Sequence, residues 1–445
     1  VVHNEDHGNS HLMIYCPKIY LKALQTTWDD AALFQPIPNQ PDGPQFQLNQ
    51  VPQQIKRHYK WAFPASLHKT RGKLQKDSGH KPVNKQYKIP TGQAFLKRKK
   101  SWKKGRTIIG YHCSVLTKLT HITAVALADM LTEVWPSTLG TTPTPELFQK
   151  LHKFFDETSS DIDLVMYNDD LVGFFNSIPQ DKVLFFVDHL IKHYKAKHPD
   201  IHTLSVNTQS SCKHNRTTSG SLSQHHQHTQ VKSLRLDDIL PIVQTTFDTA
   251  VFSALNTTWL QVQGSPIGSK ISPALCSICV AGHEMTWRQT YHIWRQSPGL
   301  HLLLMRYVDN RLTIVDQQHS TDHPLAVWLH KWFYGRPIEV EEVEDINFLG
   351  FDIYPHKRQV KFIDVDKPWK VRSPANAGTN NLTLSGFRSR AHLIVNYSFP
   401  KELIPGSLSA LLDLYHKAGF SFSILQDTLP KTAYRHLPEK KRCPS

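Results

Sequence analysis

Apolar positions recur along the chain at two different spacings. Between residues 114 and 135, Leu116, Leu119, Ile122, Val125, Ala128 and Leu131 fall at three-residue steps, which predicts a helix. Similar patterns predict helices over 183–194, 236–255, 272–294 and 323–333, with a shorter one over 20–33. Apolar runs bounded by turn residues predict strands at 162–167, 302–307, 312–315, near 338–343 and at 348–353, and a hairpin-like segment at 259–267. Thr107-Ile108-Ile109 follows a charged turn and reads as a strand. Residues 202–231 are rich in Ser, Thr, Gln and His and poor in large apolar side chains, so a disordered insertion is expected there. Its His225-His226-Gln227-His228 cluster has no flanking acidic or Cys ligand and reads as low complexity. From about residue 356 the pattern predicts a separate, mostly helical unit, with Ser407 as N-cap and Gly419 as C-terminal stop of a helix over 408–418.

Composition narrows the class. The chain has 445 residues, is 39% hydrophobic and 20% charged, and holds 10 Trp, 14 Tyr and 21 Phe. Such a chain folds, and its length suits two or three packed subdomains. No apolar run reaches the roughly 18 residues of a membrane span. The N-terminus shows no basic-then-apolar leader pattern. An intracellular protein, nuclear or cytoplasmic and without a membrane partner, is expected. The six cysteines are scattered and suggest no disulfide framework. Cys276 and Cys279 lie close together, but inside an apolar helical stretch, where two core thiols are the better reading than half a zinc site.

The charge is unevenly placed. The net charge is +15, and between Gln53 and Arg106 seventeen Lys or Arg stand against a single acid, Asp77. A block of this kind is the footprint of a polyanion, usually nucleic acid. Trp61, Phe63, Tyr87, Phe95 and Trp102 are interleaved in it, which favours a folded surface over a solvated tail.

Two segments share one design, an apolar strand that ends in acid at a turn. They are Leu164-Val165-Met166-Tyr167-Asn168-Asp169-Asp170 and Leu304-Met305-Arg306-Tyr307-Val308-Asp309-Asn310. Carboxylates at strand ends are costly to bury unless a cation meets them. Phosphoryl transfer supplies a reason, because two metal ions about 4 Å apart need shared carboxylates. Either segment alone would pass for an ordinary polar turn. Between them, however, lies Gln263-Gly264-Ser265-Pro266-Ile267-Gly268-Ser269, followed by Ser272-Pro273. Its two glycines flank a proline in a tight loop, expected to let backbone approach a nucleotide or template base. Ser272 is expected to cap the next helix and Pro273 to open it.

In this order the segments resemble the palm motifs of reverse transcriptases. Asp170-Leu171-Val172-Gly173-Phe174-Phe175 looks like the first motif, Gln263 to Pro273 like the second, and Tyr307-Val308-Asp309-Asn310 like the third. Phe348-Leu349-Gly350-Phe351 is similar to the primer grip, and Lys104-Gly105-Arg106-Thr107-Ile108-Ile109 to the fingers strand that meets the triphosphate. The spacing of Gln261, Gly264, Gly268, Ser269, Ser272 and Pro273, the phrase Arg306-Tyr307-Val308-Asp309, and more loosely the tail with Gly386, Phe387, Arg390, Leu411, Tyr415, Ala418 and Gly419, resemble Penelope-like retroelements.

The resemblance implies an α+β right-hand polymerase with fingers, a palm of antiparallel sheet plus helices, and a helical thumb. The expected divisions are 1–52, an extension of unassigned role; 53–160, basic region and fingers; 161–355, palm with the 202–231 insertion; and 356–445, thumb. The activity implied is RNA-directed DNA synthesis by a retrotransposon enzyme, with two Mg²⁺ ions, or Mn²⁺ in their place, and an RNA template, a DNA primer and dNTPs as partners. Asp170, Asp309 and Asn310 are the catalytic candidates, and Asp170, Asp309 and the Leu171 carbonyl the metal ligands. Asp169 competes with Asp170, but the family places its sugar-packing aromatic five residues on, which selects Asp170 and makes Phe175 a barrier to a 2′-hydroxyl. Lys104, Arg106, Gln263 and Gly264 are implied at the nucleotide, and Lys97, Arg98, Lys99, Lys100, Phe348, Leu349 and Gly350 at nucleic acid. Asn310 departs from the family, which usually has Asp there. Two rival readings follow: an RNA-dependent RNA polymerase, and a non-catalytic nucleic-acid-binding protein on a decayed scaffold.

Overall fold

The computed structural model describes residues 2–4, 12–37, 89–96, 105–111, 116–136, 144–207, 217–219, 231–295, 299–363, 371, 373–376, 380–430, 433 and 435–436. The fold is α+β with antiparallel sheets. Residues 1–138, 173–287 and 334–339 form one compact unit, and 139–172, 288–333 and 340–445 a second. The units interleave in sequence, unlike the serial division expected from motif order. Among the described residues no helix is long and apolar enough to cross a membrane.

In the first unit the helix Pro17–Trp28 buries Tyr20, Ala23, Leu24, Thr27 and Trp28, one face at helical spacing. Trp28 packs against Phe34 and Phe252, with ring centroids 5.1 and 4.9 Å away. Phe34 opens the strand Phe34–Ile37, which pairs with Thr257–Gln261, itself paired with Val251–Ala254. The extension before residue 52 therefore supplies part of this unit's core. The helix expected to run to residue 255 stops at Asp248. Val251–Ala254 is a strand instead, and Leu255 and Asn256, both left-handed, form the two-residue turn into its partner.

The segment expected to be a disordered insertion is ordered at both ends. Thr203–Asn207 pairs with Val231–Arg235 and with Thr217–Ser219, and Leu204, Val206 and Leu234 are fully buried. Apolar residues at alternate positions suffice for a buried strand face even among Ser and Thr. The His225–His228 cluster lies outside the described residues. Cys276 and Cys279 are core thiols of the helix Ser272–Arg295, as their apolar surroundings suggest, and burial pushes the Cys279 thiol up to about 12.

The second unit is built on a four-stranded antiparallel sheet of β1 (Leu164–Leu171), β2 (Leu302–Tyr307), β3 (Asn310–Asp316) and β4 (Val340–Glu342), in the order β2-β3-β1-β4. Leu164, Met305, Leu312 and Ile314 pack with Leu147, Leu151 and Phe155 of the helix Thr144–Glu157. The same core continues through Phe348, Phe351 and Phe362 to Phe387, Leu408, Leu412 and Tyr415. The tail is thus not a separate unit: the strand Gln359–Phe362 and the helices Asn380–Asn396 and Leu403–Lys417 share the sheet's core. Ser407 is not an N-cap. The helix begins at Leu403, with Pro405 tolerated in its first turn, and the Ser407 hydroxyl donates to the Leu403 carbonyl inside it, 2.9 Å away. Gly419, at φ +107°, does end this helix.

Candidate active site

Side chains alternate between the two faces of a strand, and direct cross-strand partners share a face. The registers Tyr307↔Asn310, Asn310↔Asp170 and Asp170↔Glu341 therefore define one row across the sheet of the second unit. Arg306↔Arg311, Arg311↔Asp169 and Asp169↔Glu342 define the adjacent row on the opposite face. The paired acids Asp169 and Asp170 consequently point to opposite sides.

Asp169 is completely buried, and Arg311, also 0% exposed, donates to its Oδ2 from Nε at 3.0 Å and from Nη2 at 2.7 Å. Arg311 donates further to the Leu329 carbonyl at 2.8 Å, and its guanidinium lies 5.5 Å from the centre of the Phe333 ring. The His330 Nδ1 stands 3.5 Å from Asp169 Oδ1, too long for a hydrogen bond. Burial opposes ionisation of Asp169, but His330 and Arg311 together outweigh it and hold its carboxyl below the usual carboxylate range. Its Oδ2 carries both Arg311 bonds, whereas its Oδ1 is buried with no hydrogen-bond partner among the described residues.

Asp170, on the other face, is only half-buried, as are Asp309 and Asn310. Asp309 sits in the two-residue turn between β2 and β3 and accepts from the Asn310 amide at 3.2 Å. The Leu171 N–H donates to the Asp309 carbonyl at 2.9 Å, tying the turn to the end of β1. The turn is strained: Val308 is left-handed at φ +56°, rare for a β-branched residue. The Arg306 side chain, 2% exposed, braces it by donating to the Val308 carbonyl at 2.9 Å.

Two half-buried carboxylates and the Leu171 carbonyl at one strand end are the oxygen donors that a hard divalent cation takes. Among the described residues no three His, Cys, Asp or Glu side chains are placed to hold a metal ion by themselves.

The Gly/Pro loop belongs to the first unit. Its glycines are required by the protein's own backbone. A Cβ on Gly264 (φ +76°) would lie 2.4 Å from the Phe175 carbonyl oxygen, and one on Gly268 (φ +94°) 2.1 Å from that of Ile109. The Ser265 N–H donates to the Phe175 carbonyl at 2.7 Å, and the Ile109 N–H to the Ile267 carbonyl at 3.1 Å. Gln261, 1% exposed, donates to the Gln263 and Ser265 carbonyls at 2.9 and 3.1 Å. Gln180 donates to Gly264 at 3.2 Å and to Gln261 at 3.4 Å. Gln263, expected at template and nucleotide, turns its amide to the Ser177 carbonyl at 3.3 Å. Ser272 does not cap by accepting: its hydroxyl donates to the Pro266 carbonyl. The loop and the short helix Phe174–Ser177 that carries Phe175 are thus one hydrogen-bonded piece. Phe174 is core, 3% exposed, and Phe175 is half-buried beside it.

Arg106 is half-buried on the strand Gly105–Ile109 of the same unit. Lys97, Arg98, Lys99, Lys100 and Lys104 lie outside the described residues. The primer-grip residues divide. Phe348, 2% exposed, has its ring in the core of the second unit, so its side chain is not the nucleic-acid contact expected of it. Leu349 and Gly350, at φ +54° and +86°, form the tight hairpin tip. Gln261 and Arg306 carry the sequence resemblance but are given no structural role there, and Arg311 and Gln180 are not singled out at all. An arginine inside each strand that leads to or from an acidic turn is the available signal for both arginines. Gln180 has none, because its partners are main-chain carbonyls more than eighty residues away.

No family model matches the sequence, and no curated protein matches it. In fold, the chain is similar to telomerase from Candida albicans in complex with a fragment of telomeric RNA, with TM-score 0.48 and 12% identity over 81% of this chain and 67% of that one. It is similar also to apo telomerase from Candida tropicalis, with TM-score 0.46 and 14% identity over 83% and 67%, and to the Sicinivirus 3Dpol RNA-dependent RNA polymerase, with TM-score 0.40 and 13% identity over 83% and 71%. At such values the overlap carries no weight for the chemistry, which rests on the strand register around Asp170 and Asp309.

Proposed function

We propose that the chain is a template-directed polymerase of the reverse-transcriptase type, extending a DNA primer on an RNA template with dNTPs, and that it derives from a Penelope-like retroelement. The observation that carries this reading is the pairing of strand ends: Asp170 lies directly across from Asn310, and the Leu171 N–H is bonded to the carbonyl of Asp309. Asp170, Asp309 and the Leu171 carbonyl would hold two Mg²⁺ ions. When bound, such ions activate the primer hydroxyl and offset charge on the leaving pyrophosphate. Asn310 keeps an oxygen for the site and removes one negative charge from it. Arg106, with Lys104, neutralises the incoming triphosphate. Phe175 excludes a 2′-hydroxyl, and the loop bonded to its carbonyl holds it in place. Leu349 and Gly350 meet the primer from the hairpin tip.

Asn310 also favours a second reading, a nucleic-acid-binding protein that has lost catalysis. Primer extension on an RNA template with dNTPs, in Mg²⁺ or Mn²⁺, separates the two when run beside Asp309→Ala and Asn310→Asp. Extension by the wild type that falls at least about 10³-fold in Asp309→Ala, with an unchanged melting midpoint, supports the enzyme. Steeply salt-dependent primer-template binding with no extension in either metal supports the binding protein. Preference for NTPs over dNTPs would instead identify an RNA polymerase.

A further inference from the structure

The sheet around Asp170 and Asp309 is buried on both faces along β3, so burial alone does little to fix how its strands align. In β3 every residue from Arg311 to Asp316 is buried, and β2 begins Leu302-Leu303-Leu304-Met305 with no polar alternation. A one-residue slip of β3 against β1 would still leave Leu312, Ile314 and Val315 between strands, while turning every side chain to the other face. Two polar features oppose the slip: Asp316, buried at the far end of β3, accepts from the His301 N–H at 2.8 Å, and the charged row lies beside the acidic turn. In the observed register Arg311 lies opposite Asp169, on the face away from Asp170. Slipped by one residue, it would meet Asp170 instead and bring its positive charge to the proposed metal ligands, leaving Asp169 buried without a partner.

We propose that Asp169 and Arg311 are a positioning pair, whose buried contact selects the register that sets Asp170 beside the Asp309 turn and keeps cationic charge off that face. The inference rests on the reading of Asp170 and Asp309 as metal ligands. Register selection is the best-attested use of a buried ion pair. The anchoring is more than pairwise: Arg311 also donates to the Leu329 carbonyl and lies against Phe333, so the guanidinium has one place to go.

The test uses the full chain and two readouts. Val165 and Val315 are direct cross-strand partners, and either kind of opposed antiparallel pair lies within disulfide reach. Val165→Cys with Val315→Cys is oxidised, and the cross-linked peptide is counted by mass spectrometry, in the wild-type background and in Asp169→Leu/Arg311→Met. The second readout is the Mn²⁺ concentration at half-maximal primer extension. The expected result is near-complete cross-linking in the wild-type background, less than half in the apolar pair at a similar melting midpoint, and at least a tenfold rise in the Mn²⁺ required. Full cross-linking and unchanged Mn²⁺ dependence in the apolar pair would overturn the proposal. If the apolar pair does not fold, Asp169→Asn/Arg311→Gln, which removes both charges at similar size, replaces it: cross-linking below that of the wild-type background supports the positioning role, and equal cross-linking rejects it. A wild type that never extends a primer defeats the proposed function but leaves the cross-link count readable.

Discussion

The two segments that carry the proposed chemistry are held by opposite means. In the second unit, Asp170 and the Asp309 turn are set by charge: Arg311 on Asp169 and Arg306 on the Val308 carbonyl, both arginines buried. In the first unit, Phe175 and the Gly/Pro loop are set by neutral amides and by glycines pressed against backbone, and Gln180, Gln261 and Gln263 all donate to main-chain carbonyls. The difference follows from what each must fix. Strands that are buried on both faces can slide, and directional polar contacts stop them. A loop with no sheet register needs its carbonyls tied one by one, and a cation there would compete with any bound substrate's charge.

Removing one partner of the buried pair is the strongest way to break the contrast. Arg311→Met leaves the buried Asp169 with only His330 near it and is expected to cost about 3–5 kcal/mol, whereas Asp169→Leu/Arg311→Met costs far less; urea unfolding of both variants checks the non-additivity. Next comes Gly268→Ala, where the new methyl meets the Ile109 carbonyl and the backbone is left-handed; a loss of about 3 kcal/mol is expected in the same measurement. Gln180→Leu removes two amide donations to the loop, so about 1–2 kcal/mol is expected, together with a lower preference for dNTPs over NTPs, read as the ratio of kcat/KM.

The smallest effect sharpens the rule from the other side. Asp238 of the first unit is buried, its Oδ2 has no hydrogen-bond partner among the described residues, and burial pushes its carboxyl up to about 6. The folded state therefore binds this proton more tightly than the unfolded chain does. The cost is absent below about pH 4, grows as pH rises toward 6, and is fully present above it. Asp238→Asn is expected to raise stability by about 1–2 kcal/mol at pH 7.5 and to change nothing at pH 4, as melting curves at the two values would show.

Much of this was legible in the residues because it is local. The order of the acidic turns and the Gly/Pro loop, the core thiols at Cys276 and Cys279, and the helical stop at Gly419 all follow from neighbours in sequence. The misreadings share the opposite cause. Leu204, Val206 and Leu234 look too sparse for a core until two strands meet across 202–235. Val251–Ala254 continues a helical pattern until the turn at Leu255 and Asn256 folds it onto Thr257–Gln261. Phe348 looks like a grip residue and Ser407 like a cap, until a shared core claims both.

The sequence by itself determined which segments bear the acids and glycines, and in what order. It stated the Asp169-Asp170 doublet without separating the two by burial or charge. Only the tertiary structure assigned them to different environments, because alternation sends adjacent residues to opposite faces and the register with β3 decides which face meets Arg311. The same physics explains the glycines. Their spacing is written in the chain, but the carbonyls of Phe175 and Ile109 that forbid a side chain there arrive only when distant segments pack.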